Sequence, residues 1–126
     1  MFQQLHHIAI ICTNYEHSKH FYTNILGFTV INEVYRKDRD SYKLDLQGEG
    51  FQLELFSFPQ PPKRVSRPEA AGLRHLAFQV ENVDQVIEYL TSFSIMVEDV
   101  RIDPFTGKRF TFFSDPDGLP IEVVER

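Results

Sequence analysis

The sequence predicts an α+β fold made of two tandem βαβββ modules, and three observations carry that reading. First, the chain repeats itself: a shift of 68 positions lays one half on the other without a gap. Second, each half shows the same order of patterns, one short apolar run, one helical stretch and then three extended runs. Third, four of the seven prolines fall between the halves, in Phe58-Pro59-Gln60-Pro61-Pro62-Lys63-Arg64-Val65-Ser66-Arg67-Pro68. Such a stretch reads as an extended, semi-rigid linker. The expected organisation is one domain over residues 1–126, with modules at about 5–58 and 73–126 and the linker at 59–72.

The repeat pairs residues that seldom match by accident. His7-Ile8-Ala9-Ile10 falls on His75-Leu76-Ala77-Phe78, Asn14 on Asn82, Gly50 on Gly118, and Leu53-Glu54-Leu55 on Ile121-Glu122-Val123. His7 to Ile11 and His75 to Val80 have the composition of strands. Asn14 and Asn82 are good helix N-caps. After Asn14, Phe21, Tyr22, Ile25 and Leu26 share a helical face and Gly27 is a stop; after Asn82, Val83, Val86, Ile87 and Leu90 keep helical spacing. Phe28 to Tyr35 and Ile95 to Ile102 then read as extended. Tyr42 to Leu46 and Phe51 to Phe58 form a hairpin around Gln47-Gly48-Glu49-Gly50. Phe110 to Phe113 and Pro120 to Val124 form its twin around Asp115-Pro116-Asp117-Gly118, where Asp-Gly is a strong turn signal. A single module is too small to hold a core alone, so the two must pack together or swap between chains.

Composition narrows the function. Seventeen aromatics, twelve of them Phe, supply a well-packed interior. No apolar run approaches the roughly 20 residues of a membrane-spanning helix, and the start MFQQLHHIAI has no basic region ahead of an apolar one, which points to the cytoplasm. A net charge of −5 argues against a nucleic-acid partner, which needs a basic face. The single cysteine, Cys12, excludes an internal disulfide and a Cys-rich zinc site, and in the run IAIIC it reads as a small buried hydrophobe.

The chemistry sits in the repeated His and Glu. His7 and Glu54, then His75 and Glu122, each lie in an apolar strand pattern. Taken singly, each His could be a core imidazole and each Glu could face solvent. A buried carboxylate, however, is costly unless paired or bound to a metal. Four residues obeying one duplicated pattern favour a divalent first-row metal such as Ni, Zn, Co, Mn or Fe, with positions left open for water. His6, as a strand neighbour of His7, is expected on the opposite face. His17 and His20 on the first helix read as a solvated face, with no carboxylate following at the next turn. Arg36, Lys37, Arg39 and Lys43 cluster in the first module, and Lys108 and Arg109 take the equivalent place in the second. These could hold a phosphate or carboxylate; equally, they could be solvated loop charges beside Asp38, Asp40 and Asp45.

The segments LHHIAI, FYTNILGF, FQLELF, GLRHLAFQV and SDPDGLPIEV span nearly the whole chain. They resemble the vicinal oxygen chelate superfamily and, within it, the small bacterial proteins related to glyoxalase I. The resemblance implies a curved, partly open β-barrel of two βαβββ modules around one divalent metal ion, nickel or zinc foremost. It implies His7, Glu54, His75 and Glu122 as ligands, with Glu122 also the catalytic base. The implied reaction is that of a lactoylglutathione lyase. A glutamate removes a carbon-bound proton from a substrate with vicinal oxygens, an enediolate forms on the metal, and the proton returns to the neighbouring carbon. The expected substrate is a small molecule, anionic or a thiol adduct, and from the basic clusters above Arg36, Lys108 and Arg109 are the candidates to hold it. Small members of the family often dimerise, which implies a homodimer with ligands drawn from both chains. Two positions depart from glyoxalase I: Ile11 stands where an Arg usually holds glutathione's carboxylate, and Phe58 stands where an Asn is common. The same scaffold also hosts epimerases, thiol transferases, dioxygenases, and proteins that sequester antibiotics without chemistry.

Overall fold

The computed structural model describes all residues, Met1–Arg126. The chain divides into two compact units, Met1–Lys63 and Arg64–Arg126. The first runs β1 (His7–Cys12), α1 (Tyr15–His20), β2 (Thr29–Arg36), β3 (Ser41–Gln47) and β4 (Gln52–Ser57). The second runs β5 (Leu76–Val80), α2 (Val83–Ser92), β6 (Arg101–Ile102), β7 (Arg109–Ser114) and β8 (Pro120–Glu125). Each unit is therefore the predicted βαβββ module. Its four strands form one open mixed sheet, in the orders β1-β4-β3-β2 and β5-β8-β7-β6. The first and last strands of each module pair in parallel and the rest antiparallel. No helix is long and apolar enough to cross a membrane.

In the first module, strand alternation sends Leu44, Leu46, Leu53 and Leu55 to one face, where none has any exposed surface. Phe21 and Tyr22 of the helical segment are buried as well. Burying each leucine fully contributes about 1.5–3 kcal/mol. Cys12 belongs to this core; it is buried, and its thiol donates to the Phe56 carbonyl at 3.4 Å. The Asn14 side chain accepts from the His17 amide at 3.1 Å, as an N-cap should. Helix α1 lasts only six residues, then widens into a π-helical turn at Phe21–Ile25 before Gly27 ends it at φ +83°.

The second module repeats this with Ile121, Val123, Thr111 and Phe113 under Val83 and Leu90 of α2. Asn82 caps α2 by accepting from the Gln85 amide at 2.9 Å. The duplicated glycines have a backbone reason: Gly50 and Gly118 sit at φ +81° and +82°, a region that side chains disfavour.

Two expectations need correction. The extended run over Ile95 to Ile102 yields only the two-residue strand Arg101–Ile102. Thr111 is the cause: its hydroxyl donates to the Glu98 carbonyl at 2.7 Å and more weakly to that of Asp99. The ladder to β7 is confined to Arg101–Phe110 and Ile102–Arg109, and ahead of it the Glu98 amide donates to the Phe112 carbonyl at 2.9 Å. The linker also ends earlier than expected. Arg64 donates to the Leu73 and Arg74 carbonyls at 2.8 and 2.9 Å, and Ser66 donates to the Gly118 carbonyl at 3.1 Å. These bonds bind residues 64–74 to the second module, and the two units divide after Lys63.

Candidate metal and substrate site

The alternation that buries the leucines leaves the other sheet face to chemistry. In β4, Gln52, Glu54 and Phe56 point away from Leu53 and Leu55. The parallel register sets Glu54 opposite Ala9, two residues along from His7, so His7 and Glu54 share that face. His7 Nε2 lies 3.4 Å from Glu54 Oε2. The carboxylate is well shielded, at 14% side-chain exposure against 41% for the imidazole. Its other oxygen lies 3.8 Å from Lys43 Nζ, and that ammonium also donates to Asp45 at 2.6 Å. Glu54 thus sits between two cationic or donor groups, in a face otherwise lined by Phe56.

His6 is not where strand alternation would put it. It precedes β1, and its ring turns back to His7, with the two Nδ1 atoms 2.9 Å apart and the rings edge to face. This contact occupies His7 Nδ1 and leaves Nε2 to face Glu54. Strand alternation does not reach the His6 side chain, because β1 begins at His7, although the His6 carbonyl still accepts from the Gln52 amide at 3.1 Å.

The second module builds the corresponding face from β5, β7 and β8. Glu122 is in register with Ala77 on one side and with Phe112 on the other. The His75 ring packs edge to face on Phe112, with centroids 5.1 Å apart. His75 and Glu122 both line a cavity of about 490 Å³ formed entirely by this module. Phe110 and Phe112 form part of its wall, and four arginines line it: Arg64, Arg67, Arg74 and Arg101. Within either module alone, no three His, Cys, Asp or Glu side chains gather as a metal-holding group; each module brings one His–Glu pair.

The basic residues singled out in the sequence go to different places. The Arg36 guanidinium lies over the Phe56 and Phe58 rings, 4.9 and 5.6 Å from their centroids, and donates to Ser41 Oγ at 2.8 Å. It is thus anchored beside the Glu54 face, while its Nε is buried without a partner. Arg109 is bound instead at the start of α2. It forks onto Asp84 at 2.9 and 3.1 Å and reaches Glu125 at 3.4 Å. Asp84's carboxyl is held below its usual range by that guanidinium, and Arg109 is correspondingly raised. Lys108 sits in the exposed turn before β7. Neither Lys108 nor Arg109 lines the cavity. The four arginines that do line it escaped the sequence reading; two of them, Arg64 and Arg67, come from a segment that looked like a linker.

With this geometry established, similarity places the chain. A family profile for the Glyoxalase/Bleomycin resistance protein/Dioxygenase superfamily matches residues 4–123, and the chain belongs to that family. The protein YaeR of Escherichia coli is 58% identical over 98% of this chain and 97% of its own. The solved structure of a glyoxalase family protein from Enterococcus faecalis is 49% identical, with a TM-score of 0.93 over 98% of both chains. Lower identities, 28% and 27%, connect it to a protein named Glyoxylase I 4 from Arabidopsis thaliana and to a 2-epi-5-epi-valiolone epimerase from an Actinomyces species. The fosfomycin resistance protein FosX of Listeria monocytogenes, solved with Mn(II), shares the fold at a TM-score of 0.76 and 19% identity.

Proposed function

We propose that this chain is a divalent-metal-dependent lyase or isomerase of the glyoxalase I type, acting on a small substrate with two vicinal oxygens. One observation carries the reading: each module sets one His and one Glu, at matching positions of the repeat, on the sheet face turned away from its helix. The donor chemistry fits a metal. His7 Nε2 and Glu54 Oε2 already approach to 3.4 Å, and two imidazoles with two carboxylates suit nickel or zinc, with cobalt, manganese or iron as alternatives. A bound divalent cation would stabilise negative charge developing on the substrate's oxygens.

The chain's own residues supply the rest. Glu122 takes a proton from a carbon of the bound substrate and returns it to the neighbouring carbon. Glu54, placed between His7 and Lys43, serves as a carboxylate donor. Phe110 and Phe112 keep water from the reacting carbon. Ile11 and Phe58 offer no charge or hydrogen bond to glutathione's carboxylates, so the substrate need not be a glutathione adduct. Each module brings half of the donors, and we propose a homodimer as the working assembly, in the cytoplasm. A light-scattering mass near 14.8 kDa with metal bound would overturn the dimer.

The deciding experiment measures metal content by elemental analysis and turnover of the methylglyoxal–glutathione adduct, on wild type and Glu122→Gln. Metal with turnover, lost in the variant, supports the lyase. Metal without turnover keeps the centre and directs the search to other substrates, including epimerase substrates, where the same proton transfer applies. Absence of metal after reconstitution with nickel or zinc would overturn the reading in favour of a non-catalytic small-molecule cup.

A further inference from the structure

The cavity of the second module is more basic than its share of this acidic chain requires. Four arginines face three carboxylates: Glu69, Glu98 and Glu122. Two of the arginines are neutralised locally, Arg74 by Glu69 at 2.7 Å and Arg101 by Glu98 at 3.0 Å. Glu69's carboxyl is held below its usual range, first by Arg74 and in small part by Arg67. Arg64 spends its guanidinium on neutral acceptors: Ser66 Oγ, the Leu73 carbonyl and the Arg74 carbonyl. Those bonds fix the loop that carries Arg67. Arg67 itself makes neither an ion pair nor a hydrogen bond. Glu122, the third carboxylate, is committed to the metal in the reading above.

Arg101 is the best placed of the four. Its guanidinium lies over Phe110 and Phe112, 5.2 and 5.4 Å from the ring centroids. Phe112 is in turn the ring against which His75 packs and the register partner of Glu122. Stacking on aromatic rings fixes the plane of a guanidinium and leaves its edge free to bind an oxyanion in two-pronged fashion. The ion pair with Glu98 is half-exposed at both ends, so a ligand can displace or share it at little cost.

We infer that the second module's cavity is an oxyanion site, in which Arg101 and Arg67 hold a carboxylate or phosphoryl group of the substrate beside His75 and Glu122. The substrate class is then a small anion whose charged group lies a few bonds from its vicinal oxygens. A cavity of about 490 Å³ admits a molecule of that size. The orientation towards the reacting carbon rests on the metal reading; the anion site itself rests on the arginines alone.

Calorimetric titration of the full chain with inorganic phosphate, and separately with malonate, tests this at low ionic strength in chelator-treated protein. Saturable binding of either probe is expected, and the tighter probe names the charged group. Arg67→Gln and Arg101→Gln should each weaken it about tenfold, the loss of one charge-assisted bond. Arg109→Gln, on the α2 side, should bind as wild type does. Glu122→Gln should keep the anion while losing metal, so failure of the metal reading and failure of this one are seen separately. No saturable binding of either probe would overturn the site, as would wild-type affinity in both Arg67→Gln and Arg101→Gln, or loss of the anion in Glu122→Gln. Should Arg101→Gln fail to fold, Arg101→Lys decides: weaker binding supports the planar contact and wild-type affinity overturns it.

Discussion

His7 Nε2 stands 3.4 Å from Glu54 Oε2 across the parallel pair β1 and β4, the two strands farthest apart in the first module's sequence. Parallel pairing forces that separation, because the chain must cross over before it can return in the same direction. The intervening helix and strands occupy the crossover and also bury the opposite sheet face. One topology thus makes the core and brings His7 to Glu54, and in the second module His75 and Glu122 line one cavity.

That equivalence predicts symmetric behaviour towards metal. His7→Ala and His75→Ala should each lower zinc or nickel affinity by more than about 100-fold, since even outer partners of a metal ligand cost 10–100-fold. Competition against a fluorescent chelator measures it. If one variant loses affinity and the other binds as wild type does, the two modules do not contribute alike.

Arg109→Ala should lower thermal stability slightly and leave KM for an anionic substrate unchanged. Its partners are Asp84 and Glu125 at the start of α2, and Glu125 also accepts from the Val83 amide at 2.9 Å. Asp84's carboxyl is depressed in the folded chain, so the pair's contribution is present above the ordinary carboxylate range and is lost as pH falls through the lowered value. Melting curves for wild type and variant should therefore converge in strong acid. A raised KM with unchanged melting would place Arg109 in the substrate site instead.

The repeat made most of this architecture legible. Matching Asn and Gly positions in the two halves correspond to helix caps and left-handed turns, and the matching Glu positions fall mid-strand in β4 and β8. Three things were hidden, each for a physical reason. The Ile95–Ile102 run has strand composition, but the Thr111 hydroxyl takes carbonyls that a ladder would use. His6 lies one residue before β1, and its ring turns onto His7. Two of the cavity arginines, Arg64 and Arg67, lie in a Pro-rich stretch whose side-chain bonds to second-module carbonyls leave no trace in hydropathy.

Glu33→Gln should cost about 1 kcal/mol at neutral pH, a figure already discounted for a half-exposed carboxylate. Glu33 accepts from Lys19 Nζ at 2.8 Å and from the Tyr15 hydroxyl, and both bonds hold its carboxyl below its ordinary 4.5. Its contribution is full above that value and fades as pH falls through the lowered one. Lys19 is raised above 10.5 by the same bond, so its contribution persists up to that value and is lost only as pH climbs past it. Burial first, then Glu33, raises the Tyr15 phenol as well. Urea unfolding should show the deficit between those limits and none near pH 2. An equal deficit at acid pH would mean that packing, not charge, is lost.

Asp115→Ala should cost about 2–3 kcal/mol by stranding two backbone donors. Asp115 is buried, and its Oδ1 accepts from the Asp117 amide at 2.8 Å and the Leu119 amide at 2.9 Å. Its counterpart in the first module is Gln47, which braces the equivalent turn with opposite polarity: Nε2 donates to the Gly48 and Phe51 carbonyls at 2.8 and 3.1 Å. An acceptor is required in the second turn because two amides face inward there, so Asp115→Asn, which keeps the oxygen, should cost well under half as much. Asp115→Gln would reproduce the first module's residue but overfill the turn and should resemble Asp115→Ala. The same turn starts β8 at Pro120, two residues before Glu122, so loosening it should also weaken metal binding. Denaturant midpoints and chelator competition on the three variants check this together. If Asp115→Ala lost stability while binding metal at wild-type strength, the turn would brace the fold without setting the position of Glu122.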